Sequence, residues 1–372
     1  ISEPIALGDL DGDGRLDLVV ANTGADDQPG GDTVSVLLGD AAGSFSRGGD
    51  FAAGDRPEGI ALGRFDGGET LDVAAADLTG SAVAVLPGDG AGGLGEPILT
   101  PVPGGPRSLV AHDWNSDGIT DLATANYDGN SVSILLGTGT GGFLILDTVS
   151  VGNGPEVIAI AQLTADSAPD LVPCDAKGNT VTPLINDGTG RFTPGAAFPV
   201  GLNPRYVAAS DLDGDGLDDL VVANNDSHTV TIKRNLGGGA FSNARTLEYA
   251  TPTLTFREPV FLAIADVTGD GFADVLATWA RSDVFTVFPR AAAGLDFGPP
   301  SAHETGATPV GIAAADFDGN GDVDVAVSNA LEDSCFVYRS YRSSPGVILD
   351  DGEDSVEDLK HRASRSHRGS VR

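Results

Sequence analysis

The sequence predicts an all-β fold: a seven-bladed β-propeller of four-stranded antiparallel blades, with a calcium loop between strands A and B of a blade. Three observations predict it. An acidic nine-residue loop, DLDGDGRLD from Asp9 to Asp17, returns as DLDGDGLDD from Asp211 to Asp219, and in other forms five times more. Its first position falls at Asp9, Arg64, Asp113, Gln162, Asp211, Asp266 and Asp316, in steps of 55, 49, 49, 49, 55 and 50 residues. Between loops the chain reads as short β-type apolar runs with turn residues and no helical period, four strands to a unit. A linear β-solenoid would not need strands of such matched spacing. The blades fall at about 2–54, 55–103, 104–152, 153–201, 202–256, 257–306 and 307–349, and residues 350–372 read as a disordered charged tail.

Within a unit the elements follow in a fixed order. Strand A is the apolar segment before the loop, such as Ile60-Ala61-Leu62-Gly63 or Ile312-Ala313-Ala314-Ala315. Its alternate small residues suit a strand crowded against its equivalents. Strand B follows the loop and ends in Asn or Asp at Asn22, Asp77, Asn126, Asp175, Asn224 and Asn329, residues that suit the next turn. Strand C begins near Val34, Val83, Val132, Val181, Val230, Phe285 and Cys335, and a glycine-rich hairpin leads into strand D. A proline seven residues before the next loop restarts the cycle, at Pro57, Pro106, Pro155, Pro204, Pro259 and Pro309. Blade 4 carries Pro173 and Pro183 inside strands B and C, where proline removes a ladder hydrogen bond, so it is expected to be irregular.

The loop chemistry points to a hard cation. Carboxylates at positions one, three, five and nine, a carbonyl from position seven and a turn-forming glycine at six make an oxygen-only site that suits calcium better than magnesium. An EF-hand is excluded, because position twelve holds Val20 or Val222 where that motif needs a bidentate acid. Five copies keep the ladder, with the position-seven carbonyl fourth in each set. They are Asp9/Asp11/Asp13/Arg15/Asp17, Asp113/Asn115/Asp117/Ile119/Asp121 and Asp211/Asp213/Asp215/Leu217/Asp219. The others are Asp266/Thr268/Asp270/Phe272/Asp274 and Asp316/Asp318/Asn320/Asp322/Asp324. The copies from Arg64 (RFDGGETLD) and Gln162 (QLTADSAPD) lose ligands and the sixth-position glycine together, so no calcium is assigned to them. About five calcium sites are expected.

These residues resemble the FG-GAP/VCBS repeats of integrin α-subunit heads and of many secreted bacterial proteins, over residues 2 to about 349. The resemblance implies a propeller whose D-x-D-x-D-G-x-x-D loops bind calcium, carried over here to the five ladders alone. It also implies an extracellular, adhesion-type setting.

The formal net charge is −33, which five calcium ions would reduce to about −23. Such a surface argues against nucleic acid and anionic membranes as partners, and no apolar run reaches the length of a membrane span. The chain begins at Ile1 and contains no Met, which reads as a processed product or an excised fragment. Cys174 and Cys335 are read as buried thiols.

The period stretches at a B–C loop (22–32) and a D–A connection (about 246–258), both at the blade end opposite the A–B loops. Insertions on one face of a repeat array mark a binding surface. Asp26, Asp27, Arg107, Arg205, Phe256, Arg257, Trp279 and Arg281 form the candidate ligand surface, whereas Trp114 at the second loop position is assigned to packing. No nucleophile–base pair, zinc spacing or phosphate loop is found, and five scattered histidines supply no catalytic set. The expectation is therefore a non-enzymatic, monomeric, secreted or cell-surface module recognising an extracellular protein or glycan. A structural spacer in a larger surface protein and a lectin are the alternatives, and a polysaccharide-active enzyme is a weaker one. Repeated sugar sites would need equivalent exposed aromatics in several blades, and Trp114 and Trp279 are not equivalent.

Overall fold

A computed structural model describes residues 5–23, 32–41, 44–242, 245–249, 258–290, 294–317, 319–330, 334–342 and 347–350. The architecture is the expected all-β propeller of seven four-stranded antiparallel blades, each complete within its own repeat. Blade 1 runs Ile5–Gly8, Asp17–Thr23, Asp32–Gly39, Phe45–Ala52, and blade 7 runs Pro309–Ala315, Asp324–Asn329, Ser334–Arg342, Val347–Asp350. The chain divides into two compact units, Ile1–Glu248 with blades 1 to 5 and Tyr249–Arg372 with blades 6 and 7. The expected tail lies outside the described residues apart from Asp350, which ends the last strand.

Strand B explains how the core is built. From blade 2 onward it is buried at every position, as in Asp72–Asp77 and Asp121–Asn126. Alternate side chains of a strand point to opposite faces, so Val73 and Ala75 pack with blade 1, while Ala74 and Ala76 pack with blade 3. The same division makes one apolar cluster between blades 3 and 4, another between blades 4 and 5, and in the second unit one between blades 6 and 7. A strand sandwiched in this way reads as a continuous apolar run, which is what LVVAN and its variants are.

Within each unit, strands A of consecutive blades lie side by side, which accounts for their small residues. A Cβ on Gly59 would stand 2.8 Å from the Ser108 Cα and 3.0 Å from the Arg107 carbonyl oxygen of the next blade. The restart proline opens strand A in blades 2 to 7, and the residue after it forms a one-residue bulge. In blade 2, Pro57 pairs with Asp77 and Gly59 with Ala76, so Glu58 is the extra residue. Arg107, Glu156, Arg205, Val260 and Val310 are skipped in the same way. The carbonyl before the proline is not wasted: those of Arg56, Gly105, Gly154, Asn203, Glu258 and Thr308 each accept an N–H from the residue after strand B.

Blade 4 is the irregular one. Its strand C is split into Thr180–Val181 and Leu184–Asn186 on either side of Thr182-Pro183, and its strand D into Phe192–Pro194 and Phe198–Pro199. Pro173 stays in strand B, opposite Ile158, while its carbonyl accepts the Thr182 N–H at 3.2 Å.

Candidate functional site

The A–B loops are built by their first and last aspartates. In blade 5 the Asp211 carboxylate accepts the N–H groups of Gly214 (2.7 Å), Asp215 (3.1 Å) and Gly216 (2.9 Å), curling the chain around it. Gly214 and Gly216 sit at φ +82° and +87°, where a side chain is strained, and this fixes the two glycines. The fifth-position side chain then accepts the N–H of position seven: Asp13 from Arg15, Asp117 from Ile119, Asp215 from Leu217, Asp270 from Phe272 and Asn320 from Asp322. All five ladders therefore share one backbone path. Asp318 lies outside the described residues, and so do Asp26, Asp27, Phe256 and Arg257 of the ligand surface.

The donor set fits a hard cation. Carboxylate oxygens of Asp9, Asp11 and Asp17 lie within 4.8 Å of one another, as do those of Asp211, Asp213 and Asp215. Arginines stand where counter-charge is due: Arg15 pairs with Asp13, and Arg234 with Asp213 and, at 3.4 Å, Asp215. The Gln162 copy has changed its chemistry instead. Its Nε2 donates to the carbonyls of Thr164 (2.7 Å) and Asp166 (2.5 Å), so an amide N–H turns inward where the ladders place a carboxylate.

Two members of the expected ligand set, Asn115 and Thr268, are uncharged, and the structure places them as follows. Asn115 Nδ2 donates to Asp117 Oδ2 at 3.0 Å, and its Oδ1 accepts the Asp117 N–H at 3.0 Å. An uncharged amide can neutralise its neighbour by donating to it, which a third-position aspartate cannot do. Thr268 donates its backbone N–H to the Asp274 carboxylate at 3.0 Å, and its Oγ1 is buried. A short neutral hydroxyl lies against the ninth aspartate there, where blades 1 and 5 bring a third-position carboxylate into the cluster. The third-position side chain accepts the N–H of position five in blades 1, 3 and 5 alike, from Asp13, Asp117 and Asp215, and only in blades 1 and 5 is it a carboxylate gathered with the others.

The ninth aspartate belongs to the fold as well as to the ligand set. Asp17, Asp72, Asp121, Asp170, Asp219, Asp274 and Asp324 are all fully buried. In every blade one oxygen accepts the N–H of loop position two and the other an N–H at the end of strand C. In blade 2 these are Phe65 (2.8 Å) and Gly88 (2.9 Å), and in blade 4 Leu163 (3.0 Å) and Asn186 (2.9 Å). The equivalents elsewhere are the N–H groups of Gly39, Gly137, Asn235, Arg290 and Ser340. Burial pushes Asp121 and Asp219 up to about 6 against the pull of these donors; a dication beside them would act in the opposite sense. The sequence carried this signal, since both decayed copies still end in Asp, but the ladder reading assigned the position to metal alone.

The ligand surface needs correction. Trp279 is fully buried, and its indole N–H donates to Thr286 Oγ1 at 2.9 Å, so it has no face to offer a ligand. It takes over a task of the strand-B terminal Asn, which is a fastening to strand C; in blade 2 the terminal Asp77 keeps the expected turn role, accepting the Gly80 N–H at 2.8 Å. Asn126 Nδ2 reaches Ser133 Oγ at 2.8 Å, and Asn224 Nδ2 reaches Thr231 Oγ1 at 2.8 Å. Arg281 is exposed and pairs with Glu258 at 3.0 Å. Trp114 is packing, as expected, with its ring 5.5 Å from that of Phe192. Cys174 is buried and free; the side chain of Cys335 lies outside the described residues.

Arg107 and Arg205 do come together, through Glu156, and Glu58 ties Arg107 to Arg56; the sequence reading passed over both glutamates. Arg107 Nε donates to Glu58 at 2.6 Å and its Nη1 to Glu156 at 2.8 Å. Arg205 holds the other Glu156 oxygen at 2.8 Å, and Arg56 holds the other Glu58 oxygen at 3.0 Å. The spacing gave the clue, because the residue after the proline alternates Glu, Arg, Glu, Arg every 49 residues from Glu58 to Arg205. Burial works against the Arg107 charge, but Glu156 and Glu58 outweigh it and hold the guanidinium above its ordinary value.

With this geometry in hand, the sequence matches two family models: FG-GAP repeat at residues 5–37, and FG-GAP-like repeat at residues 163–222 and 211–277. The chain carries FG-GAP repeats. No curated protein matches it in sequence. Among solved structures, the chain is similar to a Lactobacillus plantarum protein, at 16% identity and TM-score 0.68 over 89% of this chain and 94% of that one. It is similar to the periplasmic gluconolactonase of Pseudomonas aeruginosa, at 18% identity and TM-score 0.63 over 88% and 93%. It is also similar to an Agrocybe aegerita lectin that recognises non-reducing terminal N-acetylglucosamine, at 20% identity and TM-score 0.53 over 81% and 80%. At these identities the likeness is one of fold. The expectation of a non-enzymatic protein is withdrawn on this finding, because an architecture shared with a gluconolactonase is one that carries catalysis.

Proposed function

We propose that this FG-GAP propeller is a calcium-stabilised recognition module of the cell surface or the extracellular space. The observation that supports it most is the convergence of loop carboxylates in blades 1 and 5, on loops whose path is common to all five ladders. In those two blades positions one, three, five and nine, with the carbonyl of position seven, would hold the cation. Blades 3 and 6 offer the same set without a third-position carboxylate. Calcium would neutralise the packed carboxylates and stiffen the loops. Extracellular calcium modules bind in the range of about 10⁻⁴ to 10⁻³ M, which suits exposed loops of this kind. The proline end of the blades in the first unit is the recognition surface, with Arg107 and Arg205 among its described cationic members, and an extracellular glycan or protein as the partner. Among the described residues no helix is long and apolar enough to cross a membrane.

The test is a binding screen against glycans and matrix proteins, in calcium and again in EDTA. A partner bound only in calcium is the expected result. A folded, calcium-loaded protein that binds none of them would replace this reading with that of a structural spacer.

A further inference from the structure

We propose that the proline end of blades 2 to 5 is a receptor for a monoanionic carboxylate of the kind a sugar acid carries, gripped by Arg205 and Arg107. The proposal rests on the recognition reading above and names the ligand class of that surface.

The fold itself shows that charge is not needed at these positions. In blades 6 and 7 the same bulge residue is Val260 or Val310. Blades 2 to 5 instead place Glu58, Arg107, Glu156 and Arg205 there, with the glutamates only 2% and 3% exposed. A buried ion pair is a poor stabiliser compared with apolar residues of similar volume, so the ladder calls for another reason. β-Bulges re-aim side chains and gather at functional sites; here four successive bulges align alternating charges across neighbouring strands A.

The acids lie beneath and the arginines reach solvent: Arg107 is 16% exposed and Arg205 26%. Each guanidinium plane is fixed by a glutamate before any ligand arrives, which lowers the ordering cost of binding. Arg205 has one partner among the described residues, the Glu156 oxygen, and so keeps N–H donors in the forked geometry that matches a carboxylate. Beside Arg107, Tyr127 packs against both its guanidinium (4.4 Å) and the Lys177 ammonium (4.0 Å).

The open edge of Arg205 decides which anion. Its Nη1 is held by Glu156, and the Nε–Nη2 edge that remains pairs with the two oxygens of one carboxylate. In a chain of net charge −33 a single negative charge meets less repulsion than a phosphate dianion.

The experiment is calorimetric titration of the calcium-loaded protein, at low salt, with D-galacturonate, D-galactose and inorganic phosphate. Galacturonate is expected to bind, galactose not to bind, and added sodium chloride to weaken the complex. Arg205→Gln should weaken galacturonate binding at least tenfold, while Arg47→Gln, which removes an equal charge in blade 1, should leave it unchanged. If Arg205→Gln does not fold, Arg205→Lys decides: it keeps the charge, loses the fork, and should bind several-fold more weakly. No galacturonate binding by protein with a normal melt would overturn the proposal. So would equal binding of galactose, tighter binding of phosphate, or unchanged affinity in the Arg205 variant. A partner from the screen that binds the Arg205 variant as well as the native protein would overturn this site and leave the recognition reading intact.

Discussion

At the residue scale, the ninth loop aspartate separates structure from metal binding. In blade 2 no ladder surrounds Asp72, yet its carboxylate still accepts the N–H groups of Phe65 and Gly88. Asp72→Ala should lower unfolding stability by about 2–4 kcal/mol, since two buried donors lose a charged acceptor. Denaturant unfolding in calcium and in EDTA should return the same loss; a loss confined to calcium would mean that blade 2 holds metal. Asp175 poses a different problem. Its Oδ2 accepts the hydroxyls of Thr180 (2.9 Å) and Thr182 (2.8 Å), Oδ1 is buried without a hydrogen bond among the described residues, and burial raises the carboxyl to about 6. A raised folded value means the native state holds the proton more tightly than the unfolded chain. The stability this contributes is complete below about pH 4 and lost as pH rises through 6. Asp175→Asn, the residue of blades 1, 3, 5 and 7, should therefore gain about 1–3 kcal/mol at pH 7 and nothing near pH 4. Parallel pH profiles for the two proteins would refute this.

At the element scale, the loops divide into those that can gather cations and those that have other chemistry at the centre. The Asp211 loop brings three carboxylates within 4.8 Å and has recruited Arg234 to them, while the Gln162 loop turns an amide inward. The Asp113 loop stands between the two, with the Asn115 amide bonded to Asp117. Asp213→Ala with Asp215→Ala should lower the bound calcium count by one, read by metal analysis after gel filtration. The double variant Asp166→Ala, Gln162→Ala should leave that count as it is. An unaltered count in the first variant would remove blade 5 from the calcium set. Blade 4 shows how far an element can bend without leaving the fold. Pro183 was legible as a break in strand C, because a missing N–H cannot be hidden; that strand D would also split, into Phe192–Pro194 and Phe198–Pro199, was set by its pairing with each half of the broken neighbour.

At the scale of the whole molecule, charge is the dominant quantity. A net −33 sets the chain against its own compact state, and much of that charge is concentrated in the loop ladders. Chelation should therefore lower the melting temperature, and at low ionic strength more than at high, because salt screens exposed carboxylates. A melt indifferent to EDTA at both ionic strengths would end the calcium assignment. The same balance limits what the proline end can bind, since its arginines work within an acidic field.

The sequence by itself determined the repeat, the strand order and the register of the loops, because each is a local property of backbone sterics. Glycine marks the left-handed turns, proline the restart of strand A, and apolar runs the strands buried on both faces. What only the tertiary structure decided was where side chains from different blades meet. Trp279 looked like a surface aromatic by its place at the end of strand B, and became core because Thr286 takes its indole N–H and the Tyr249 ring lies 5.6 Å from its own. Glu58 and Glu156 drew no reading from the sequence, and became the centre of an ion-pair ladder because a bulge in each blade turns them toward the next. A contact between residues 49 apart depends on the packing of whole blades, and no local rule contains it.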